Sequence, residues 1–330
     1  MSYCFRVPGV SRLTYEAALT GLQVRCETGA TLSGDWVPNI PHRLYTEGVT
    51  TRSIACALQD GEFSVRLYSG ACSEDYRLAL RIAGDVARLA HTKVKSEEGV
   101  SFTPGMRGHR YGQGWIDDHV RTIGKVILRM AAAKRSDDPL VVEGPNRSFH
   151  MGPMTAAFIT NAGRTDLERA EVMFSLMRKV QYPSVPILEP AAVVMPDSEA
   201  VVAAVELHPE TSAVVQRTDV ITFAAHVPAH VPWAEALQLL GPFVEPLDEW
   251  TVAIRAVPAE AWNDLLAAAN DIDSAPFIQV PDGELTQHTQ WSTQVTDAPT
   301  EVFTLPVARH DDTPVEEGVR RWWDVWRRRR

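Results

Sequence analysis

The chain of 330 residues has no apolar run long enough to cross a membrane. Its uninterrupted apolar stretches, such as residues 191–195, are far shorter than the roughly 18 residues that a membrane-spanning helix needs. No basic and then apolar leader opens the chain, because Arg6 and Pro8 already fall within residues 1–10. These absences predict a soluble cytoplasmic protein without a transmembrane segment.

Cysteine is scarce as well. The four cysteines are Cys4, Cys26, Cys56 and Cys72. No two of them form a CxxC pair, so the spacing predicts buried, reduced thiols and not a zinc site.

Familiar catalytic and metal-binding motifs are also missing. The chain contains no GxSxG elbow and no glycine-rich loop followed by Lys-Ser or Lys-Thr. His226 and His230 have the spacing of two metal ligands on one helix face, but Pro228 argues against a helix there. We therefore predict no metal and no cofactor.

The composition that remains is that of an ordinary globular protein. Apolar residues make up 45% of the chain and charged residues 22%, and the length predicts about two domains. Strand-like and helix-like segments follow one another along the chain. The sequence therefore predicts an α+β protein with two mixed domains, mainly antiparallel strands and an amphipathic C-terminal helix.

Short local motifs place several elements. Asp60-Gly61 predicts a hairpin turn, and Ser73 predicts the cap of a helix. Thr165 with Glu168 forms a capping-box motif that predicts a helix to about Val180. Residues 213–225 predict one strand.

A cluster of prolines separates the two predicted domains. Pro183, Pro186 and Pro190 end the preceding helix and mark a junction near residues 181–190. We predict an N-terminal α+β domain over 1–182, an acidic, strand-rich domain over 191–312 and a C-terminal helix over 313–330.

Charge is spread unevenly along the chain. The formal net charge is −10, which disfavours nucleic acid as a partner. Residues 1–164 hold 20 basic and 16 acidic residues, a net of +4, whereas residues 165–309 hold 6 basic and 21 acidic residues, a net of −15. The acidic half predicts a basic protein partner, or gives solubility alone.

A glycine-rich loop precedes a predicted helix and suggests a different function. Residues 104–114 contain four candidate anion-binding residues, Arg107, His109, Arg110 and Gly112. A helix N-terminus suits an anion, although a mobile surface loop explains the same residues. Asp117, Asp118 and His119 follow, and we interpret them as polar residues that complement the dipole at the helix start.

Short motifs within residues 55–155 resemble an uncharacterised bacterial protein family. They are residues 73–80 (SEDYRLAL), 94–99 (VKSEEG) and 144–152 (GPNRSFHMG). Glu98 stands where this family is expected to have aspartate. The resemblance implies a bacterial cytoplasmic protein and supplies no activity and no catalytic residues.

The last residues predict a short helix with an apolar face. Thr313, Pro314 and Glu316 form a helix-start motif. The candidate interaction residues of this helix are Trp322, Trp323, Trp326 and Arg327. The apolar surface of three tryptophans on one short helix has to be buried. It packs against the protein's own body, a homodimer or partner groove, or an anionic membrane surface.

Two functions follow from these observations. The first is a non-enzymatic binding protein, an immunity-type or accessory factor, that acts through its acidic second domain. The alternative is an enzyme with an unfamiliar site between the domains, which binds an anionic small molecule at residues 104–114.

Overall fold

The computed structural model describes residues 2–19, 24–26, 41–104, 110–194, 201–272 and 278–279. These residues form helices and mainly antiparallel strands, which confirms the predicted α+β class. The chain divides into two compact units, the first ending at Tyr182 and the second beginning at Pro183. The predicted domain ranges stay a prediction, and the predicted C-terminal helix lies outside the described residues.

An antiparallel sheet is the centre of the first unit. Its strands are β1 (Ser2–Pro8), β2 (Arg25–Cys26), β3 (His42–Tyr45), β4 (Ile54–Gln59), β5 (Glu62–Tyr68), β6 (Val94–Ser96) and β7 (Ser101–Phe102). From edge to edge the order is β2, β3, β4, β5, β1, β6 and β7. The first strand of the chain therefore lies inside the sheet, between β5 and β6.

The β4–β5 hairpin shows how local sequence sets this sheet. Asp60 and Gly61 both have positive φ, 51° and 75°, which two-residue hairpin turns require. The predicted turn is thus confirmed. In β5, Phe63, Val65 and Leu67 alternate with less buried residues and point into the core.

Helices complete the first unit. They are α1 (Arg12–Leu19), α2 (Ser73–Leu89), α3 (Gln113–Ala132), α4 (Pro153–Ala162) and α5 (Asp166–Gln181), and a hairpin of β8 (Leu140–Glu143) and β9 (Ser148–Met151) accompanies them. Helix α2 packs on β1 and β5 through an apolar stripe that includes Ile82 and Val86. Helices α3, α4 and α5 pack on one another.

The two predicted helix caps of this unit have different outcomes. The Thr165 Oγ1 accepts a hydrogen bond from the Glu168 amide at 3.2 Å, so that capping box is confirmed. The prediction for Ser73 is wrong, because Cys72 is the cap residue and Ser73 is already helical. The carboxylate of Asp75, the third helical residue, accepts the Cys72 amide at 2.7 Å, which is the bond that an acid at this position supplies in a capping box.

The described part of the second unit contains two sheets and two α-helices. Its strands are β10 (Ile187–Leu188), β11 (Ala191–Val194), β12 (Val201–Leu207), β13 (Ala213–Gln216), β14 (Val220–Phe223), β15 (Ala229–Pro232), β16 (Val244–Pro246), β17 (Thr251–Ile254) and β18 (Ile278–Gln279), with helices α6 (Trp233–Leu240) and α7 (Ala259–Ile272). One sheet has the order β10, β13, β17, β16, and the other has the order β15, β14, β12, β11, β18. The β10–β13 and β12–β14 pairs are parallel.

The single strand predicted over 213–225 is two strands in two different sheets. The chain leaves β13 after Gln216 and enters β14 at Val220. Between them, the Thr218 hydroxyl donates to the Ala203 carbonyl, and the Asp219 carboxylate accepts the Ala203 amide at 2.8 Å. These bonds hold the segment between β13 and β14 against β12. The continuous β-like sequence is therefore interrupted and forms two strands.

Both sheets of the second unit share one apolar core. Val215 and Ile254 come from one sheet, Ile221 and Phe223 come from the other, and Trp262 of α7 packs with them. No helix in the described ranges combines the length and the apolar character that a bilayer crossing requires.

Candidate functional site

The residues predicted to bind an anion fall partly outside the described chain. Arg107 and His109 lie outside it, as do Trp322, Trp323, Trp326 and Arg327 of the predicted C-terminal helix. Gly112 is the cap residue of α3, and no side chain caps that end. The Arg110 Nη2 lies 3.1 Å from the Glu98 Oε2, and the guanidinium lies over the Tyr111 ring. Its charge therefore already faces a carboxylate, and anion binding stays a prediction.

A pocket of about 480 Å³ lies in the first unit, close to Arg110's carboxylate partner. The residues that line it are Ser2, Tyr3, Leu67, Tyr68, Tyr76, Glu97, Glu98, Asp118, His119, Thr122 and Ile123. This size suits a small organic molecule.

Five segments of the chain form the pocket. The β1–β5 register sets Ser2 opposite Tyr68 and Tyr3 opposite Leu67. Tyr76 lies near the start of α2, and the turn after β6 supplies Glu97 and Glu98. The α3 residues 118, 119, 122 and 123 share one helix face, because residues one turn apart are neighbours.

Aromatic side chains form a cluster beside the pocket. The Tyr3 ring makes edge contacts with Trp115 at 5.1 Å and with His119 at 5.4 Å between ring centroids. Trp115 also contacts Tyr76 at 5.6 Å and stacks on His119 at 4.0 Å. Such edge contacts favour defined orientations of the rings in this cluster.

Glu98 is the most strongly hydrogen-bonded acid of the pocket. Its Oε2 accepts the Tyr3 hydroxyl, and it accepts the Tyr111 hydroxyl at 3.2 Å. Burial alone would raise the pKa of Glu98, but bonds from Tyr3, its own backbone amide, Ser96 and Tyr111 lower that pKa to about 2. Burial, followed by the bond to Glu98, raises the pKa of Tyr3. The carboxylate is therefore ionised and the Tyr3 phenol neutral at neutral pH.

Two further acids stand at the pocket. The Glu97 Oε2 accepts the Cys4 amide of β1 at 3.1 Å, which ties the turn after β6 to the sheet. Within the described part of the chain, no lysine or arginine forms an ion pair with Glu97. The Asp118 Oδ1 lies 2.6 Å from the Arg121 Nη2 on the exposed side of α3.

His119 adds a further hydrogen-bonding group to the lining. Its Nδ1 lies 3.2 Å from the carbonyl oxygen of Trp115, one turn earlier on α3. A carbonyl oxygen only accepts, so this bond places a proton on Nδ1 and leaves Nε2 as an acceptor in the neutral ring. The site therefore combines apolar ring surfaces with several hydrogen-bond acceptors.

No metal cluster of three or more His, Cys, Asp or Glu residues occurs within the described ranges. His226 lies in an exposed loop, and His230 lies in β15 with its Nδ1 3.0 Å from the Thr222 Oγ1. The two histidines do not share a helix.

The sequence interpretation missed this pocket. It assigned Asp118 and His119 to a helix start, whereas α3 begins at Gln113 and places both in its second turn. The pattern that could have indicated them is the single face shared by His119 and Thr122. Tyr3 and Glu98 carry no local pattern, because the sheet register and a distant turn bring them together.

A separate feature marks the surface of the second unit. Glu260, Asp264 and Asp271 are exposed on α7, and their spacing of four and seven residues places them on one helix face. We call these three residues the acidic row. Arg217 and Arg255 are the basic side chains, other than histidine, in the described part of this unit.

The chain matches no protein-family model, no curated protein and no solved structure. The resemblance of residues 55–155 to a bacterial family therefore stays a prediction, and function has to be argued from the site.

Proposed function

We propose that the protein is a small-molecule binding protein and that the pocket of its first unit holds the ligand. The observation that carries this proposal is the cavity of about 480 Å³, whose lining combines aromatic side chains with a small number of polar groups. Ligand sites commonly combine an apolar lining with a few polar groups that orient the ligand.

The hydrogen bonds at the site favour binding over catalysis. The Tyr3 and Tyr111 hydroxyls both donate to Glu98, and burial raises the pKa of Tyr3, so the Tyr3 phenol is not poised to give up a proton. Burial likewise raises the pKa of Cys4, and its thiol contacts the Phe5 carbonyl. Among the residues described, no hydroxyl or thiol at this pocket forms a nucleophile–base pair with His119.

Fragment binding to the full chain tests the proposal. Thr122 lines the pocket and is exposed on α3, so Thr122→Trp should fill the cavity without disturbing the core. Met130 is exposed on the same helix and does not line the pocket, so Met130→Trp is the matched control. Ligand-observed NMR with a set of small aromatic amines, alcohols and acids measures binding.

We expect at least one fragment to bind the natural protein and the Met130→Trp variant with equal affinity. Thr122→Trp should weaken that binding at least tenfold. If no fragment binds, or if Thr122→Trp leaves binding unchanged, the pocket is not a ligand site and the proposal fails.

A second candidate function rests on the acidic row. The described part of the second unit exposes nine carboxylates, at positions 189, 206, 210, 219, 235, 245, 260, 264 and 271. The chain has no lysine after Lys179. This charge supports the proposal that the second unit binds a basic protein partner, because opposite charge steers and orients association.

A further inference from the structure

We infer that the pocket of the first unit takes an organic cation, a protonated alkylamine carried on an apolar body. This inference rests on the proposed function and names the ligand class for the same site. The described lining combines carboxylate groups with aromatic side chains, and that pairing recognises ammonium groups attached to hydrocarbon.

The described residues that line the pocket carry a negative charge. Glu97, Glu98 and Asp118 line it, and no lysine or arginine is among the described lining residues. Arg110 and Arg121 pair with Glu98 and Asp118 without lining the cavity. These two arginines reduce the negative charge but do not reverse it. Glu97 has no such cation among the described residues, so its carboxylate is the natural partner of a ligand ammonium group.

Aromatic rings supply the second half of the recognition. Tyr3, Tyr68 and Tyr76 line the cavity, and Tyr68 is the most exposed of the three. Burial raises the pKa of both Tyr3 and Tyr76, so both phenols are neutral. A neutral aromatic ring attracts a nearby cation and also covers the apolar body of the ligand.

An anion is disfavoured by the same geometry. It would meet the Glu98 carboxylate, whose pKa of about 2 keeps it ionised throughout the physiological range. The one described cation of the predicted anion site, Arg110, already lies 3.1 Å from that carboxylate. A bare metal ion is disfavoured by size, because a cavity of about 480 Å³ is far larger than one ion and its ligands need.

Three probes of similar shape and different charge separate these possibilities. Phenethylammonium is the cation, 2-phenylethanol the neutral analogue and 3-phenylpropionate the anion. Their affinities for the full chain are measured by NMR titration at pH 7. The Thr122→Trp variant shows which binding takes place in the pocket.

Glu97→Gln tests the inference at the residue level. Glutamine keeps an oxygen that can accept the Cys4 amide, while the negative charge is removed. Glu171→Gln removes the same charge at an exposed position of α5 outside the pocket and is the matched control.

We expect phenethylammonium to bind at least tenfold more tightly than 2-phenylethanol, and 3-phenylpropionate to bind more weakly than either. Glu97→Gln should weaken phenethylammonium binding about tenfold and leave 2-phenylethanol unchanged, whereas Glu171→Gln should change neither.

The outcomes separate the two proposals. If 2-phenylethanol or 3-phenylpropionate binds at least as tightly as phenethylammonium and Thr122→Trp blocks it, the pocket is a ligand site but the cation inference is overturned. The inference is also overturned if Glu97→Gln leaves phenethylammonium binding unchanged. If none of the probes is sensitive to Thr122→Trp, the proposed function fails together with the inference.

Discussion

Asp75 is a completely buried carboxyl group that joins the start of α2 to the loop before β4. Its Oδ2 accepts the Cys72 amide at 2.7 Å, the Thr51 hydroxyl at 2.8 Å and the Arg52 amide at 3.2 Å. Its Oδ1 is buried and has no hydrogen-bond partner within the described chain. Burial raises the pKa of Asp75 from 3.8 to about 6, although its hydrogen bonds act in the opposite direction.

This pKa makes the stability of the first unit depend on pH. The folded state holds the Asp75 proton more tightly than the unfolded state does. The stabilisation that this protonation gives to the folded state is therefore complete below pH 3.8 and is lost as pH rises through about 6. Two pKa units correspond to roughly 3 kcal/mol. We expect Asp75→Asn to remove this part of the pH dependence.

Urea denaturation between pH 4 and pH 7 measures the effect. The free energy of unfolding of the natural protein should fall relative to Asp75→Asn as pH rises across this range. Glu171→Gln, at an exposed position, should follow the natural protein. Parallel curves for Asp75→Asn and the natural protein would show that Asp75 does not titrate in this way.

At the level of secondary-structure elements, the α3–α5 contact depends on two small residues. A Cβ atom placed on Gly124 would lie 2.8 Å from the Ala170 Cβ, which is closer than carbon atoms pack. Gly124 is buried in the middle of α3, where glycine otherwise weakens a helix. Close packing of the two helices is therefore the reason for this glycine.

We expect Gly124→Ala to destabilise the protein by about 1–3 kcal/mol, because overpacking outweighs the gain in helix propensity. Gly114→Ala on the same helix is the control, since no atom lies within 4 Å of the added Cβ there. It should be neutral or slightly stabilising. Thermal denaturation compares the two, and the double change Gly124→Ala with Ala170→Gly should recover much of the loss.

Most elements with local determinants were predictable from the sequence, whereas elements with non-local determinants were not. The Asp60-Gly61 turn and the Thr165 capping box each depend on residues that are close together in the sequence, and both predictions are confirmed. The division of 213–225 into two strands depends on bonds to Ala203, which no local pattern reveals. The prediction for Ser73 was wrong although its determinants are also local, because the helix starts one residue earlier, at the Cys72 cap whose amide the Asp75 carboxylate accepts.

At the level of the whole molecule, the sequence places most of the negative charge in the second half of the chain. The described part of the second unit exposes many of these carboxylates. The pocket could not be predicted in this way. Its residues come from five separate segments, and the sheet register that unites Tyr3 with Leu67 is visible only in the folded chain.

Neutralising the acidic row tests the second candidate function. A variant with Glu260→Gln, Asp264→Asn and Asp271→Asn should lose a basic protein that the full natural chain captures from a cell lysate. The control variant, with Glu206→Gln, Glu210→Gln and Glu235→Gln, removes the same charge from other exposed positions and should retain it. Equal loss in both variants would indicate attraction by net charge without a defined surface.

The place of β1 inside its sheet has a consequence for how the protein is made. This strand leaves the ribosome before both of its neighbours, β5 and β6, have been synthesised. Its apolar residues Phe5 and Val7, which are buried in the folded protein, therefore have no partner strands until β5 and β6 are synthesised. Translation speed over the segment from β1 to β6 thus sets how long a chaperone or another nascent chain can reach this strand.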